Sequence, residues 1–271
     1  MKLDVTLPEG PREAYAYTGG KPFDASRPVV VFVHGALHDH GVWTLAARWF
    51  ANHGWSALAP DLPGHARSAG APLESVEAIA DWLLAFIDAA GAGRVALVGH
   101  SMGSLIALEA AARAAELISH LVLVATAYPM RVSAALLEAA RSDPMGAIDS
   151  VNTFSHSSLA GKPSYPGPGT WLHGANRVLM RRLQAAQTGT NLFLTDFLAC
   201  DRYRGGATAA EKVRCPTTMV LGERDQMTFP AEARDLGERL HARTVALGAG
   251  HAVMSEAPDD VLHALRQALV P

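Results

Sequence analysis

The chain has 271 residues, 49% hydrophobic and 18% charged, with 24 Gly and 16 Pro scattered through it. That composition excludes a disordered or collagen-like chain, and the lack of a repeating period excludes a coiled coil. Twenty-three Lys and Arg against 26 Asp and Glu give a formal net charge of −3, whereas a nucleic-acid-binding domain would show a basic excess.

At about 150 residues per domain, the length suits two small domains or one large α/β domain carrying an insertion. Only two cysteines are present, Cys200 and Cys215, too few for a disulfide framework or a structural zinc site, and both are expected to be buried or inert. The first ten residues, MKLDVTLPEG, lack the apolar stretch of a signal peptide, and no run approaches the roughly 18 apolar residues of a membrane span. The expectation is a soluble, cytoplasmic protein with no membrane or nucleic-acid partner. Nothing in the sequence sets an oligomeric state.

In chain order, short apolar runs bounded by turn residues occur at Val29 to Val33, Ser56 to Ala59, Val95 to Val98, Leu121 to Ala125, Thr217 to Leu221 and Thr244 to Leu247. Runs without polar alternation suit strands buried on both faces, as in a parallel sheet. Helix-forming stretches lie between them: Ser75 to Ala90, ending at Gly91; Met102 to Ile118, nearly free of helix breakers; and Pro258 to Leu269, opened by a proline suited to a first helical turn. Strand alternating with helix predicts an open α/β sheet with helices on both faces.

The alternation breaks between about Tyr128 and Arg214. This stretch holds the Gly/Pro-rich passage GKPSYPGPG (161–169) and the aromatics Phe154, Tyr165, Trp171, Phe193 and Phe197. From Ala127 to Arg214 there are ten Lys/Arg and six Asp/Glu, leaving 13 and 20 for the remainder. We read residues 128–211 as a helical insertion set between 1–127 and 212–271. Its positive balance suits docking onto an acidic core or, alternatively, a pocket for acidic substrates.

The sharpest local signal is Gly99-His100-Ser101-Met102-Gly103, a G-x-S-x-G pattern directly after one run and before a helix. A nucleophile at such an elbow has strained backbone angles and close neighbours, and glycines two residues either side remove colliding Cβ atoms. A hydroxyl attacks only once a base takes its proton, so a histidine oriented by a carboxylate is required. His251 sits on a small-residue loop after the last run, and Asp225 follows Gly222 by three residues. The order Ser101, Asp225, His251 is the one this architecture uses. Asp225 follows Ser101 by 124 positions, room enough for the insertion, and His251 follows Asp225 by 26. No acid lies between Thr126 and Ser133, which leaves Glu223 as the nearest competitor.

An oxyanion hole is expected where Val29 to Val33 runs into His34-Gly35-Ala36-Leu37-His38-Asp39. The donors assigned are the backbone amides of Ala36 and Met102, with Leu37 as the substitute for a longer turn. His34 is read as holding this loop, and His38 and His40 as exposed loop residues that could line an entrance. Although Asp39 adjoins these histidines, no metal is expected there, and no cofactor. Leu37, Trp43, Phe154, Trp171, Phe193 and Phe197 are the candidates for an apolar pocket, each with core packing as the alternative.

These features together resemble the α/β-hydrolase superfamily across nearly the whole chain. Asp61-Leu62-Pro63-Gly64-His65-Ala66-Arg67-Ser68 is similar to that family's Asp-x-Pro-Gly-x-Gly-x-Ser loop, with Ala66 in place of a glycine. Ser104 stands where the family's elbow often has a second glycine. The resemblance implies a mostly parallel eight-stranded sheet and a Ser–His–Asp triad under a cap between strands six and seven. It implies hydrolysis of a small-molecule carboxylic ester through an acyl-enzyme on Ser101, without a cofactor. Alternatives within the family are carbon–carbon bond hydrolysis of dienoic ring-cleavage products, which implies a basic group on the substrate carboxylate, with Arg177, Arg181 and Arg182 in the insertion as candidates or else as solvated surface residues, and thioester, amide or acyl-transfer chemistry. A ligand-binding protein with little turnover is the reading from a different class.

Overall fold

The computed structural model describes residues 1–8, 10–158 and 170–269; the passage 161–169, with Tyr165, lies outside the described residues. The elements in order are β1 (Lys2–Leu7), β2 (Gly10–Tyr17), β3 (Val29–Val33), α1 (Thr44–Asn52), β4 (Ser56–Pro60), α2 (Val76–Ala89), β5 (Val95–His100), α3 (Met102–Arg113) and β6 (Ile118–Val124). Then come α4 (Ala134–Ser142), α5 (Pro144–Phe154), α6 (Leu172–Ala185), α7 (Leu192–Arg202) and α8 (Gly206–Lys212). The chain closes with β7 (Thr217–Gly222), α9 (Arg234–Arg239), β8 (Arg243–Leu247), α10 (Val253–Glu256) and α11 (Pro258–Ala268).

The strands form one eight-stranded sheet in the order β1-β2-β4-β3-β5-β6-β7-β8. Among the described residues, the β1–β2 and β2–β4 pairings are antiparallel and the other strand pairings are parallel. The apolar runs are the parallel strands, with alternate side chains pointing to opposite faces; β3, β4, β5 and β7 are buried on both faces as expected, whereas β8, at the edge of the sheet, is exposed at Thr244 and Ala246 and buries only Leu247. Val29, Val31 and Val33 join a cluster with Ile79 and Leu83 of α2 and Leu105 of α3. Val30 and Phe32 join another with Phe50 of α1 and Leu265 of α11.

Two expectations shift. The hairpin β1–β2 was not visible as an apolar run, because only Val5, Ala14 and Ala16 of it are buried. The third helix stops at Arg113 rather than reaching Ile118: Val95 donates to the Leu117 carbonyl at 2.8 Å, which draws the following residues into β6. Elsewhere local chemistry sets the ends. Ser75 caps α2 by accepting from the Ala78 amide at 3.2 Å, as an N-cap serine does.

Helices α4 to α8 fill the interval between β6 and β7. Most of them share a cluster of their own, built from Ala140, Ile148, Val151, Met180, Leu183 and Phe193. Ala209 and Ala210 of α8 pack instead with the main core. Among the described residues, no helix is long and apolar enough to cross a membrane.

Candidate active site

Ser101 sits between β5 and α3 with φ 52° and ψ −122°, a conformation costing on the order of 1–3 kcal/mol that the surroundings must enforce. They do so from several sides. The Ser101 amide donates to the Val124 carbonyl at 2.9 Å, and its carbonyl accepts from the Ser104 amide at 2.8 Å and the Ser104 hydroxyl at 2.6 Å. Ser104, the departure from glycine, thus supports the elbow. A Cβ on Gly103 would lie 2.5 Å from the carbonyl oxygens of Val33 and His34, and one on Gly99 would lie 2.7 Å from the Ser104 amide. Both glycines let β3, β5 and α3 meet closely. The Ser101 hydroxyl makes no hydrogen bond among the described residues.

Asp225 lies in the turn after β7 and His251 in the loop before α10. The His251 Nδ1 is 2.8 Å from Asp225 Oδ2. The other oxygen, Oδ1, accepts the amides of Met227 at 2.8 Å and Thr228 at 2.9 Å. The Thr228 hydroxyl lies 2.7 Å from Oδ2 and 3.1 Å from His251 Nδ1. Burial, the largest influence, favours the neutral acid, but His251 and Thr228 outweigh it and hold the Asp225 pKa below its usual value. The pair is buried: His251 is 7% exposed and Asp225 2%. The loop is braced by His100 Nε2, 3.0 Å from the His251 carbonyl, and by Glu256, which accepts the Gly250 amide at 2.6 Å. Glu223 is exposed and lines a different cavity, so it does not compete for this position.

The amides of Ala36 and Met102 make no hydrogen bond among the described residues. The Leu37 amide is taken: it donates to Asp196 Oδ2 at 2.8 Å, which removes it as the substitute donor. His34 is buried and holds its loop as expected. It accepts the Leu62 amide on Nε2 at 3.1 Å, so Nδ1 carries the proton directed at the Gly35 carbonyl 2.9 Å away. His40 is tied to Asp61 at 2.8 Å. Ala66 keeps the left-handed turn of its loop at φ 41° despite its Cβ.

A cavity of about 370 Å³ brings together Ala36, Ser101, Thr228 and His251 from the sheet's loops with Val151, Phe154, Met180, Phe197 and Cys200 from the insertion. A second, of about 240 Å³, shares His38, Ser155 and His251 with the first and is otherwise lined by residues such as Leu45, Leu172 and Met254. Of the six pocket candidates, Phe154 and Phe197 line the larger cavity. The other four do not. Leu37 and Phe193 are fully buried in the insertion's cluster. Trp43 packs under the sheet with its ring 5.2 Å from that of Phe32, and Trp171 is half exposed beside His173. An apolar ring suits a core and a pocket wall equally, so residue type alone did not separate them.

His38 is also corrected. It is not an exposed loop residue but lines both cavities, with Nδ1 2.8 Å from the Ala36 carbonyl and Nε2 2.9 Å from Asn176 Oδ1. Arg177 and Arg181 pair with Asp149, and Arg182 pairs with Asp39; none of the three lines the larger cavity, where the guanidinium present is that of Arg131. Burial pushes the Cys200 thiol well above its usual pKa, which makes it a poor rival nucleophile. Among the described residues no group of three or more His, Cys, Asp or Glu could hold a metal ion.

Sequence and structure comparisons bear on the family and the fold. A family model described as "Alpha/beta hydrolase family" matches residues 30–264. A pimeloyl-[acyl-carrier protein] methyl ester esterase of Chromobacterium violaceum is 28% identical over 251 residues, 89% of this chain and 86% of the relative. With a 2-succinyl-6-hydroxy-2,4-cyclohexadiene-1-carboxylate synthase of Serratia proteamaculans, identity is 34% over 85 residues, 31% of this chain. That match, like some others, spans only about a third of the relative's own length. An esterase from Exiguobacterium antarcticum superposes with TM-score 0.83 at 17% identity, covering 98% of both chains, which establishes a shared fold.

Proposed function

Since the chain belongs to the alpha/beta hydrolase family, we propose that it hydrolyses small carboxylic esters through an acyl-enzyme on Ser101. One observation carries this reading: the Asp225–His251 hydrogen bond of 2.8 Å is formed beside the cavity that Ser101 and the unpaired Ala36 amide also line. In this scheme Ser101 Oγ attacks the carbonyl carbon while His251 Nε2 takes its proton. Asp225 keeps the Nδ1–H tautomer and balances the imidazolium. The oxyanion is held by the amides of Ala36 and Met102, where a lost donor typically costs about 10²–10³ in kcat. The tetrahedral intermediate collapses, His251 protonates the leaving alcohol, and a water activated by the same imidazole releases the acid. The Ser101–His251 hydrogen bond is absent from the described geometry; such contacts often tighten only when substrate is bound.

Residues 128–211 then act as a cap, since their helices form the far wall of the cavity. That wall is largely apolar, with Val151, Phe154, Met180 and Phe197; Arg177, Arg181 and Arg182 are paired elsewhere, and the charge of Arg131 in the lining is offset there by Glu232. Esters are therefore favoured over ring-cleavage products. A screen of p-nitrophenyl esters of rising acyl length, run beside one dienoic ring-cleavage substrate, tests this. The expected result is kcat/KM peaking at short to medium aliphatic chains with the dienoic acid a poor substrate. Faster turnover of the dienoic acid, or equal turnover of highly polar esters, would overturn it.

A further inference from the structure

Asp196, on α7 of the insertion, is 1% exposed, and the catalytic scheme leaves it without a role. Its Oδ2 accepts the Leu37 amide at 2.8 Å and lies 3.0 Å from His65 Nε2. The other nitrogen of His65 faces the Pro63 carbonyl at 3.1 Å. Both ring nitrogens thus face acceptors, an arrangement satisfied only when both carry a proton. Burial alone lowers the His65 pKa, but the Asp196 charge and these hydrogen bonds outweigh it and raise it. The contacts of His65 are those of a buried imidazolium–carboxylate bridge, and a charged acceptor holds the Leu37 amide more strongly than a neutral one would.

Leu37 is not an arbitrary position. It has φ 55°, a left-handed conformation that costs a non-glycine residue on the order of 1–2 kcal/mol. Its N–H belongs to the peptide group whose carbonyl is that of Ala36, held from the other side by His38 Nδ1 at 2.8 Å. The preceding peptide group is clamped as well: the Gly35 carbonyl accepts from His34 Nδ1 at 2.9 Å and from the His38 amide at 3.3 Å. In a planar trans peptide the N–H points opposite to the C=O. The Gly35 carbonyl therefore sets the direction of the Ala36 N–H, and the His38 amide that helps to hold that carbonyl follows directly on Leu37 in the chain. Two further bonds from the insertion reach the next residues of this loop, Asn176 to His38 at 2.9 Å and Arg182 to Asp39 at 2.8 Å.

The geometry points to Asp196 as a positioning residue supplied by the insertion, one that locks the Ala36–Leu37 peptide so that the Ala36 amide is aimed at the developing oxyanion. This rests on the ester-hydrolase reading above. It gives the insertion a part in the chemical step in addition to enclosing substrate, because an unanchored Leu37 can relax out of its left-handed conformation, withdraw the His38 amide from the Gly35 carbonyl and let the Ala36 amide turn away.

The test is Asp196→Ala, with kcat expressed per serine titrated by a fluorophosphonate so that misfolded protein is not counted. Misalignment of one donor, less costly than the roughly 10²–10³ of its complete loss, predicts kcat on p-nitrophenyl acetate falling by about ten- to a hundredfold, with KM within about threefold. An aryl trifluoromethyl ketone, whose hemiketal oxygen needs the same hole, should bind more weakly by the same factor. Asp196→Asn, whose side-chain oxygen can still accept the Leu37 amide, should restore kcat to within about threefold of the parent. Should Asp196→Ala not fold because His65 is left as an unpaired buried charge, the double variant Asp196→Ala/His65→Leu removes both charges, and the same fall in kcat is expected of it. A kcat per titrated serine within twofold of the parent in the folded variant, or a loss carried by KM alone, would overturn the proposal. Ser101→Ala separates the two readings: if it is inactive while Asp196→Ala is normal, only the positioning role fails.

Discussion

Ser101→Ala should lower kcat for p-nitrophenyl acetate by about 10⁴-fold or more, leaving only what binding and the oxyanion amides supply. The protein should stay folded, for two reasons specific to this site. The Ser101 hydroxyl makes no hydrogen bond among the described residues, so nothing is left unpaired by its removal. Alanine keeps the Cβ, so the packing of the elbow against Gly35 is preserved, and the backbone bonds from Val124 and Ser104 stay in place. Steady-state kinetics beside a thermal melt decides it: an inactive protein with an unchanged melting temperature is the expected pair of results. A variant with parental turnover would remove Ser101 from its role.

Asp225→Asn should lower kcat by a comparable factor, about 10⁴, through the tautomer of His251. The orientation of the new amide is forced. Oδ1 accepts two backbone amides, from Met227 and Thr228, so that position must stay an oxygen and the NH₂ must take the place of Oδ2. There it faces His251 Nδ1, 2.8 Å away in the parent, and compels that nitrogen to accept. The imidazole proton moves to Nε2, the atom that must be free to take the serine proton. Glu223→Gln is the control; Glu223 is exposed and lines another cavity, so kcat should stay within about twofold, as for surface changes generally. The Asp225 pKa is lowered in the folded protein. Its charged bonds therefore stabilise fully above the unfolded value near 3.8 and are lost as pH falls through the lower folded value. The stability gap between parent and Asp225→Asn should accordingly be flat near neutral pH and narrow only in acid.

The parts of the site most legible in the sequence were those whose chemistry demands a local pattern. Gly99 and Gly103 flank Ser101 because strand, elbow and helix cannot approach with Cβ atoms between them, and that requirement is written within five residues. Asp225 and His251 could be read from their places after β7 and β8, as the fold permits little choice there. What escaped depends on contacts between distant segments. Asp196 is an unremarkable acid on a helix until the fold sets it against Leu37, 159 positions away, and His65, 131 away. Thr228 and His38 acquire their meaning in the same manner. Trp43 and Phe193 cannot be sorted between core and pocket from the sequence, because burial in a core and exposure to a cavity call for the same side chains. The end of α3 at Arg113 shows pairing overriding propensity: the residues after it favour helix, yet β6 must begin at Ile118 to pair with Val95.

The claim on which the mechanism turns is that a covalent acyl-enzyme forms on one particular hydroxyl. Acid-quenching the reaction with p-nitrophenyl acetate during turnover, followed by peptide mapping by mass spectrometry, reads that bond directly. The account predicts one acetyl group per chain on the peptide containing Ser101, and none on the Ser101→Ala protein. Acetyl found on another residue during turnover, with Ser101 unmodified, would contradict it.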